Sequence, residues 1–176
     1  MTKVFQLTMV IICTFVFMLL CDPFAQDHGS VWAKSHEILY VSVSYVIDGD
    51  SIMVKKDSQE LEIRLWGIDA PEYDQKGARE SKNALSSIIL NYAIELEIVD
   101  QDKYGRLVAI ARKDSLNVNE YMVRSGHAWV HVYYCKAVQC KKWYVFEHEA
   151  RRKRLGFWRY DNQIPPWKWK ANKKGS

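Results

Sequence analysis

The chain has 176 residues, of which 48% are hydrophobic and 26% are charged, and its formal net charge is +4. This length suits one domain with a hydrophobic core, and the composition excludes a disordered chain and a protein with several membrane spans. The small excess of positive charge is compatible with a polyanionic partner but does not by itself indicate one.

The first 25 residues have the pattern of a secretory signal. Lys3 supplies a positive charge, the uncharged run at residues 9–20 is short for a membrane span, and polar residues follow it at once. We predict cleavage after Ala25, export to the periplasm or the exterior, and no membrane span in the processed protein. An uncleaved N-terminal anchor is the alternative. Residues 26–37 are predicted to form a mobile leader.

Alternating hydrophobic residues predict a three-stranded β-meander that begins at residue 38. The first strand covers residues 38–45 and ends before Asp48-Gly49, a pair that favours a hairpin turn. The second strand begins at Ser51, residues 55–58 form another turn, and the third strand covers residues 61–65.

The following segment predicts a helix, two strands and two further helices. Asn117, followed by Glu120 three positions later, resembles a capping box, and Gly126 suits the C-terminal cap of that helix. The predicted elements are a helix near 78–89, strands near 95–99 and 106–112, a helix from 117 to 126 and a helix near 141–155. This order fits one α+β domain over residues 38–160, an OB-type five-stranded β-barrel with about three packed helices.

Two cysteines lie in the predicted domain, five positions apart. In an exported protein, a disulfide between Cys135 and Cys140 is the favoured interpretation. A metal site is the weaker alternative, because no second pair of thiols and no suitably spaced histidines accompany them.

Carboxylates and arginines concentrate at a few positions in the first two thirds of the domain. Residues 64–72 (RLWGIDAPE) contain an arginine and two carboxylates, Asp48 and Asp50 flank the first turn, and Arg106 follows a second turn. Taken singly, Asp48 could serve turn formation and the arginines could be solvated strand residues. Together they supply oxygen ligands for a cation, a carboxylate that can activate water, and guanidinium groups for a phosphate.

Three segments resemble the signature blocks of the thermonuclease (staphylococcal nuclease-like) family. They are residues 46–51 (VIDGDS), 64–72 (RLWGIDAPE) and 102–106 (DKYGR), in the family's order and at similar spacing, and residues 156–158 (GFW) resemble the family's last helix exit. The resemblance extends over residues 40–158. It implies an OB-type barrel that hydrolyses the phosphodiester bonds of DNA and RNA with low sequence specificity.

The resemblance also implies a site for one Ca²⁺. The carboxylates of Asp50 and Asp69 and the backbone carbonyl of Ala70 match its ligands, and Asp48 matches a carboxylate farther from the ion. Alanine in place of the threonine of the best-known member should not matter at a position that contributes only its carbonyl.

The same resemblance assigns the catalytic and substrate-binding positions. Glu72 matches the general base that activates the attacking water, and Arg64 and Arg106 match two arginines that bind the phosphate. Lys103 and one of Tyr133 or Tyr134 match positions at which family members contact the terminal phosphate and the sugar-base end of the substrate. The segment after Trp129 departs from the best-known member, and the stretch after Glu72 is shorter.

The spacing of Arg64 and Asp69 predicts an irregular strand. Residues five positions apart in a regular strand point to opposite faces of the sheet. Both side chains can reach one site only if the strand bends between them, and Gly67 is the position that favours such a bend.

The sequence leaves the role of the C-terminal tail open and allows more than one function. The Trp- and Lys-rich tail (residues 161–176) could bind nucleic acid or pack on the barrel, and His127, His131 and His148 lack metal-ligand spacing. A non-catalytic OB-fold module that binds nucleic acid or protein is the alternative function, and a disulfide-stabilised envelope or adhesion protein is a third possibility. A monomer is the default oligomeric state.

Overall fold

The computed structural model describes residues 37–175, and the predicted signal at residues 1–25 and nearly all of the predicted leader lie outside them. The strands are β1 (Ile38–Val46), β2 (Ser51–Lys56), β3 (Gln59–Leu65), β4 (Ile68–Asp69), β5 (Ala93–Gln101), β6 (Leu107–Lys113), β7 (Leu116–Asn117) and β8 (Trp129–Val130). The helices are α1 (Ala78–Ile89), α2 (Val118–Arg124), α3 (Val138–Arg152) and α4 (Pro166–Lys174), with a 3₁₀ helix at Gly156–Arg159. No helix in residues 37–175 is long and apolar enough to cross a bilayer.

Five strands form a closed barrel. Their order is β3-β2-β1-β5-β6, and parallel pairing of β3 with β6 closes the sheet. The other neighbouring pairs in the barrel are antiparallel, and three of them (β1 with β2, β2 with β3, and β5 with β6) are joined by short turns. The predicted OB-type α+β fold is thus confirmed. The described chain has four α-helices where about three were predicted, because α4 lies in the tail whose structure the sequence left open.

Alternation along the strands fills the barrel interior. In β1, Leu39, Val41 and Val43 are buried, whereas Tyr40 and Tyr45 on the other face are exposed. The buried side chains inside the barrel form one apolar cluster together with side chains of α1 and α2. Burial of each large aliphatic side chain in it contributes about 1.5–3 kcal/mol to the stability of the fold. A second, smaller cluster lies under the C-terminal segment and consists of Trp129, Ala150, Phe157 and Trp158, with Tyr160 and Trp167 packed against it.

The predicted irregularity at Gly67 is present. Strand β3 ends at Leu65, Gly67 adopts a φ of 73°, and the chain then enters β4, which pairs with β8 and not with the barrel. Asn119 of α2 holds the turn, since its side-chain amide donates to the carbonyl of Trp66 at 2.9 Å. Because of this bend, Arg64 and Asp69 lie on two different strands, β3 and β4, and not on opposite faces of one strand.

The start of α2 shows half of the predicted capping box. The side chain of Asn117 accepts a hydrogen bond from the backbone N–H of Glu120 at 2.9 Å. The carboxylate of Glu120 instead accepts from the indole N–H of Trp143 at 3.2 Å. The glutamate therefore ties α2 to α3, because a buried indole needs an acceptor and α3 packs directly against it.

Gly126 joins the exit of α2 to the 3₁₀ helix and leaves no room for a side chain. Its φ is +77°, and a Cβ there would lie 2.4 Å from the backbone oxygen of Leu155. We expect Gly126→Ala to lower the free energy of unfolding by about 3 kcal/mol, from the left-handed conformation and from overpacking together. Urea unfolding measures the loss.

Gly105→Ala is the matched control for the steric part of this effect. Gly105 also has a positive φ, +84°, but the nearest atom to a Cβ is 4.0 Å away. Its substitution should cost about 1–2 kcal/mol, the conformational part alone. Equal losses for the two variants would show that the contact with Leu155 is relieved without cost.

Candidate active site

The connection between β1 and β2 places two carboxylates beside the end of β3. The backbone N–H of Asp50 donates to Oδ1 of Asp48 at 2.9 Å, which closes the turn. The backbone N–H of Leu65 donates to the carbonyl of Asp50 at 2.7 Å, and Ser51 pairs with Arg64 in the ladder. Strand pairing therefore fixes these aspartates next to Arg64.

The turn at Gly67 brings Asp69 back to the same place. One terminal nitrogen of Arg64 donates to Oδ1 of Asp69 at 2.7 Å and to the carbonyl of Ile68 at 3.0 Å, and the other forms an ion pair with Asp50. The backbone N–H of Ala70 donates to Oδ2 of Asp50 at 2.5 Å. The sequence-predicted residues Arg64, Asp50, Asp69 and Ala70 thus form one cluster.

This cluster is buried and carries more negative than positive charge. Burial raises the pKa of Asp48 and of Asp69, and the neighbouring guanidinium of Arg64 acts in the opposite direction on both. Burial also lowers the pKa of Arg64, and the two aspartates oppose that effect. The carboxylates of Asp50 and Asp69 both pair with the one guanidinium of Arg64, so in their ionised forms they carry one negative charge more than it balances.

The resemblance seen in the sequence implies one Ca²⁺ at this cluster. No group of three or more His, Cys, Asp or Glu side chains in residues 37–175 is arranged as a metal site. Asp50 and Asp69 are only 5% and 3% exposed, and Arg64 lies between their carboxylates. Two carboxylates and the charge excess fit a hard cation such as Ca²⁺, which accepts irregular oxygen ligands including carbonyl, water and phosphate.

The second predicted arginine reaches the same cleft from β6. Arg106 is held by Asp102 at 2.8 Å and by Glu62 at 3.2 Å, two acceptors that fix its guanidinium. A cleft of about 500 Å³ is lined by Arg64, Arg106 and Lys103, among others. These three cationic side chains suit a polyanionic substrate, and two carboxylates, Asp100 and Asp102, line the cleft as well.

Of the two predicted tyrosines, the structure brings one into the cleft. Tyr134 and Tyr104 line the cleft and Tyr133 does not, although all three side chains are largely exposed. Cys135 and Cys140 form a disulfide directly after these tyrosines. Gly67 lies against this disulfide, since a Cβ on the glycine would meet the sulfur of Cys135 at 3.0 Å. The loop that carries Tyr134 is therefore packed on the turn of the active site.

His131 also lines the cleft, and no pattern in the sequence indicated this position. Its backbone N–H donates to the carbonyl of Gly67 at 2.9 Å, and its ring lies 4.5 Å from that of Tyr134. Burial, with the nearby charges of Arg64 and Lys170, lowers its pKa to about 4. The imidazole is therefore neutral at neutral pH and can accept or donate a hydrogen bond at the cleft. Only the fold places it there, because no spacing in the sequence links it to Arg64.

Glu72 lies apart from the lining of this cleft, on the segment between β4 and α1. Its side chain is partly exposed, and its carboxylate pairs with Lys170 of α4 at 2.8 Å. The residue predicted as the general base is thus paired with a lysine of the C-terminal tail.

Comparisons with known proteins agree with this arrangement. A family model described as "Staphylococcal nuclease homologue" matches residues 62–160. An uncharacterized endonuclease of Escherichia coli O157:H7 is 35% identical over 129 residues, which are 73% of this chain and 82% of that protein. Micrococcal nuclease of Shigella flexneri is 32% identical over 140 residues, or 74% of this chain and 80% of that protein.

A plant protein extends the similarity over most of this chain. The probable staphylococcal-like nuclease CAN4 of Oryza sativa subsp. japonica is 34% identical over 164 residues, 88% of this chain and 32% of that protein. The family model covers more than half of the chain, and the bacterial relatives match over most of their own length. The predicted resemblance is confirmed: the chain belongs to the staphylococcal nuclease family.

Proposed function

We propose that this nuclease is an exported, Ca²⁺-dependent enzyme that hydrolyses the phosphodiester bonds of DNA and RNA with low sequence specificity. The observation that carries the proposal is the convergence of Arg64 and Arg106 on one cleft, with the buried carboxylates of Asp50 and Asp69 at its edge. The disulfide between Cys135 and Cys140 supports an oxidising compartment.

The two arginines bind the phosphate in this proposal. A guanidinium is planar, stays charged and can donate to two phosphate oxygens at once. Arg106 is already oriented by Asp102 and Glu62, whereas Arg64 must exchange a carboxylate contact for a phosphate oxygen. Lys103 and Tyr134 extend the cleft and contact the substrate beyond the scissile phosphate.

Hydrolysis requires a base and a place for negative charge. Glu72 accepts a proton from the attacking water, and both guanidinium groups stabilise the charge that grows on the phosphate oxygens. Asp50, Asp69 and the carbonyl of Ala70 would hold Ca²⁺, with Asp48 behind them, and the bound ion would supply positive charge beside the phosphate. Low sequence specificity is expected, because these groups address the backbone and not the base edges.

Removal of calcium tests the proposal directly. The full-length chain, incubated with single-stranded DNA or RNA, should degrade both in Ca²⁺ and neither in excess EGTA. Asp69→Asn should weaken Ca²⁺ binding measured by calorimetry and reduce cleavage, because it removes a charged ligand. Asp57→Asn, in the exposed turn between β2 and β3, is the matched control and should change neither.

Two results would contradict the proposal. Cleavage that continues in EGTA would show that the activity does not depend on calcium. A folded preparation that leaves DNA and RNA intact in both conditions would show that the protein does not hydrolyse them. A gel shift on the same samples would then test the alternative, a nucleic-acid-binding module.

A further inference from the structure

Helix α4 contacts the segment that carries Glu72 at several points. We call residues 71–77 the Glu72 loop. Lys170 of α4 pairs with Glu72 at 2.8 Å, and the indole N–H of Trp169 donates to Asp74 at 3.1 Å. Lys173 forms a second ion pair with Asp74. One helix therefore holds two separate carboxylates of the loop.

The chain just before α4 is also tied to this loop. The side-chain amide of Gln75 donates to the carbonyl of Ile164 at 2.5 Å, and Gln75 is buried although it is polar. Its side-chain oxygen accepts from the backbone N–H of Glu72 at 3.2 Å. Gln75 thus connects the backbone of Glu72 to the tail, and the carboxylate of Glu72 is held by Lys170 from the same tail.

Helix α4 is itself fixed to the body of the domain by apolar contacts. Pro166, in its first turn, is buried, and Trp167 packs against the cluster of Trp129 and Phe157. The ring of Trp167 also lies 5.5 Å from that of His131, which lines the cleft. Because these contacts do not involve the Glu72 loop, α4 can act as a fixed support for it.

The ion pair is too exposed to stabilise the protein much. The side chains of Lys170 and Glu72 are 52% and 30% exposed, and such pairs contribute about 0–1 kcal/mol to folding. A pair of this kind affects where a carboxylate is held more than whether the domain folds. Within residues 37–175, Lys170 is the ion-pair partner of Glu72.

We propose that α4 is part of the active site and that Lys170 is a positioning residue, which holds the carboxylate of Glu72 and, with Trp169 and Gln75, orders the Glu72 loop. The inference rests on the proposed role of Glu72 as the base. It adds to that role a part of the chain, residues 161–174, that lies beyond the segment matched by the family model.

The test compares three variants of the full-length chain on single-stranded DNA in Ca²⁺. Lys170→Ala should lower kcat about 10–100-fold with KM within twofold, because a displaced base weakens the transition state and not substrate binding. Lys170→Arg should restore most of the rate, since it keeps a cation that can reach Glu72. Lys168→Ala is the control, because it removes a lysine of the same helix that forms no ion pair in the described chain.

Amide hydrogen exchange gives a second readout. The backbone amides of residues 72–77 should exchange faster in Lys170→Ala than in the wild type or in Lys168→Ala, with thermal unfolding within a few degrees for all three. Unchanged kcat and unchanged exchange in Lys170→Ala would overturn the inference. A higher KM alone would identify a substrate contact, and a higher kcat would identify an inhibitory one, and both would overturn it.

Glu72→Gln, measured in parallel, separates this inference from the function on which it rests. If Glu72→Gln keeps its turnover, the role of Glu72 as the base fails and the positioning role of Lys170 fails with it, whereas hydrolysis itself stands; a wild-type chain that leaves DNA intact would remove the proposed function. If Glu72→Gln is inactive and Lys170→Ala is normal, only the positioning role of Lys170 fails.

Discussion

Arg64→Lys is expected to lower kcat by about 10²–10³-fold although it keeps the positive charge. In the structure the guanidinium contacts Asp50, Asp69 and the carbonyl of Ile68 at once. A lysine ammonium is a point charge and cannot present the planar pair of donors that binds two phosphate oxygens. The protein should remain folded, because the buried aspartates keep a cationic partner.

Single-turnover cleavage of DNA at saturating Ca²⁺ measures this loss. The matched control is Arg112→Lys, which makes the same change at a strand arginine paired with Glu95 and Glu97 and absent from the lining of the cleft. Its rate should stay within twofold of the wild type. Near-wild-type turnover of Arg64→Lys would show that charge alone suffices at this position.

The barrel and the bend next to the candidate site could be predicted from local patterns. Alternation in β1 identifies the buried face, since side chains in a strand alternate between two faces. The same rule showed that Arg64 and Asp69 need a bend between them, and the turn at Gly67 provides it. These predictions succeeded because each depends on residues that are near one another in sequence.

Other features could not be predicted, because they depend on contacts between distant segments. Trp169 donates a hydrogen bond to Asp74, which is 95 positions away in the sequence, and the tail has no apolar periodicity that predicts a packed helix. His131 enters the cleft only because β8 pairs with β4 immediately before it. Asn119, which is fully buried, would look like a surface residue of α2 until the turn at Trp66 is placed against it.

The position of α4 bears on how the family's site is completed in this chain. The family model ends at residue 160, before α4, and it begins at residue 62, after Asp48 and Asp50. Pairing of β2 with β3 brings Asp48 and Asp50 next to the matched segment, and the ion pair between Lys170 and Glu72 connects α4 to it. The matched segment alone therefore holds both arginines and Glu72 but not every group that surrounds them.

Glu72→Gln should lower kcat by about 10²–10⁴-fold and leave KM nearly unchanged, since a general base acts only in the transition state. The amide has nearly the shape of the carboxylate but cannot accept the proton. Folding should be preserved, because the side chain is partly exposed and its ion pair with Lys170 lies at the surface. Steady-state cleavage of single-stranded DNA gives both constants.

Glu149→Gln is the control that isolates the chemistry of Glu72. It makes the same substitution and removes the same kind of contact, an exposed ion pair with Lys153 at 3.7 Å on α3. Loss of a surface charge would affect both variants alike through the general field that attracts nucleic acid, and it would change KM and the salt dependence. A loss of kcat confined to Glu72→Gln therefore identifies proton transfer, whereas equal effects in the two variants would assign Glu72 no part in the chemical step.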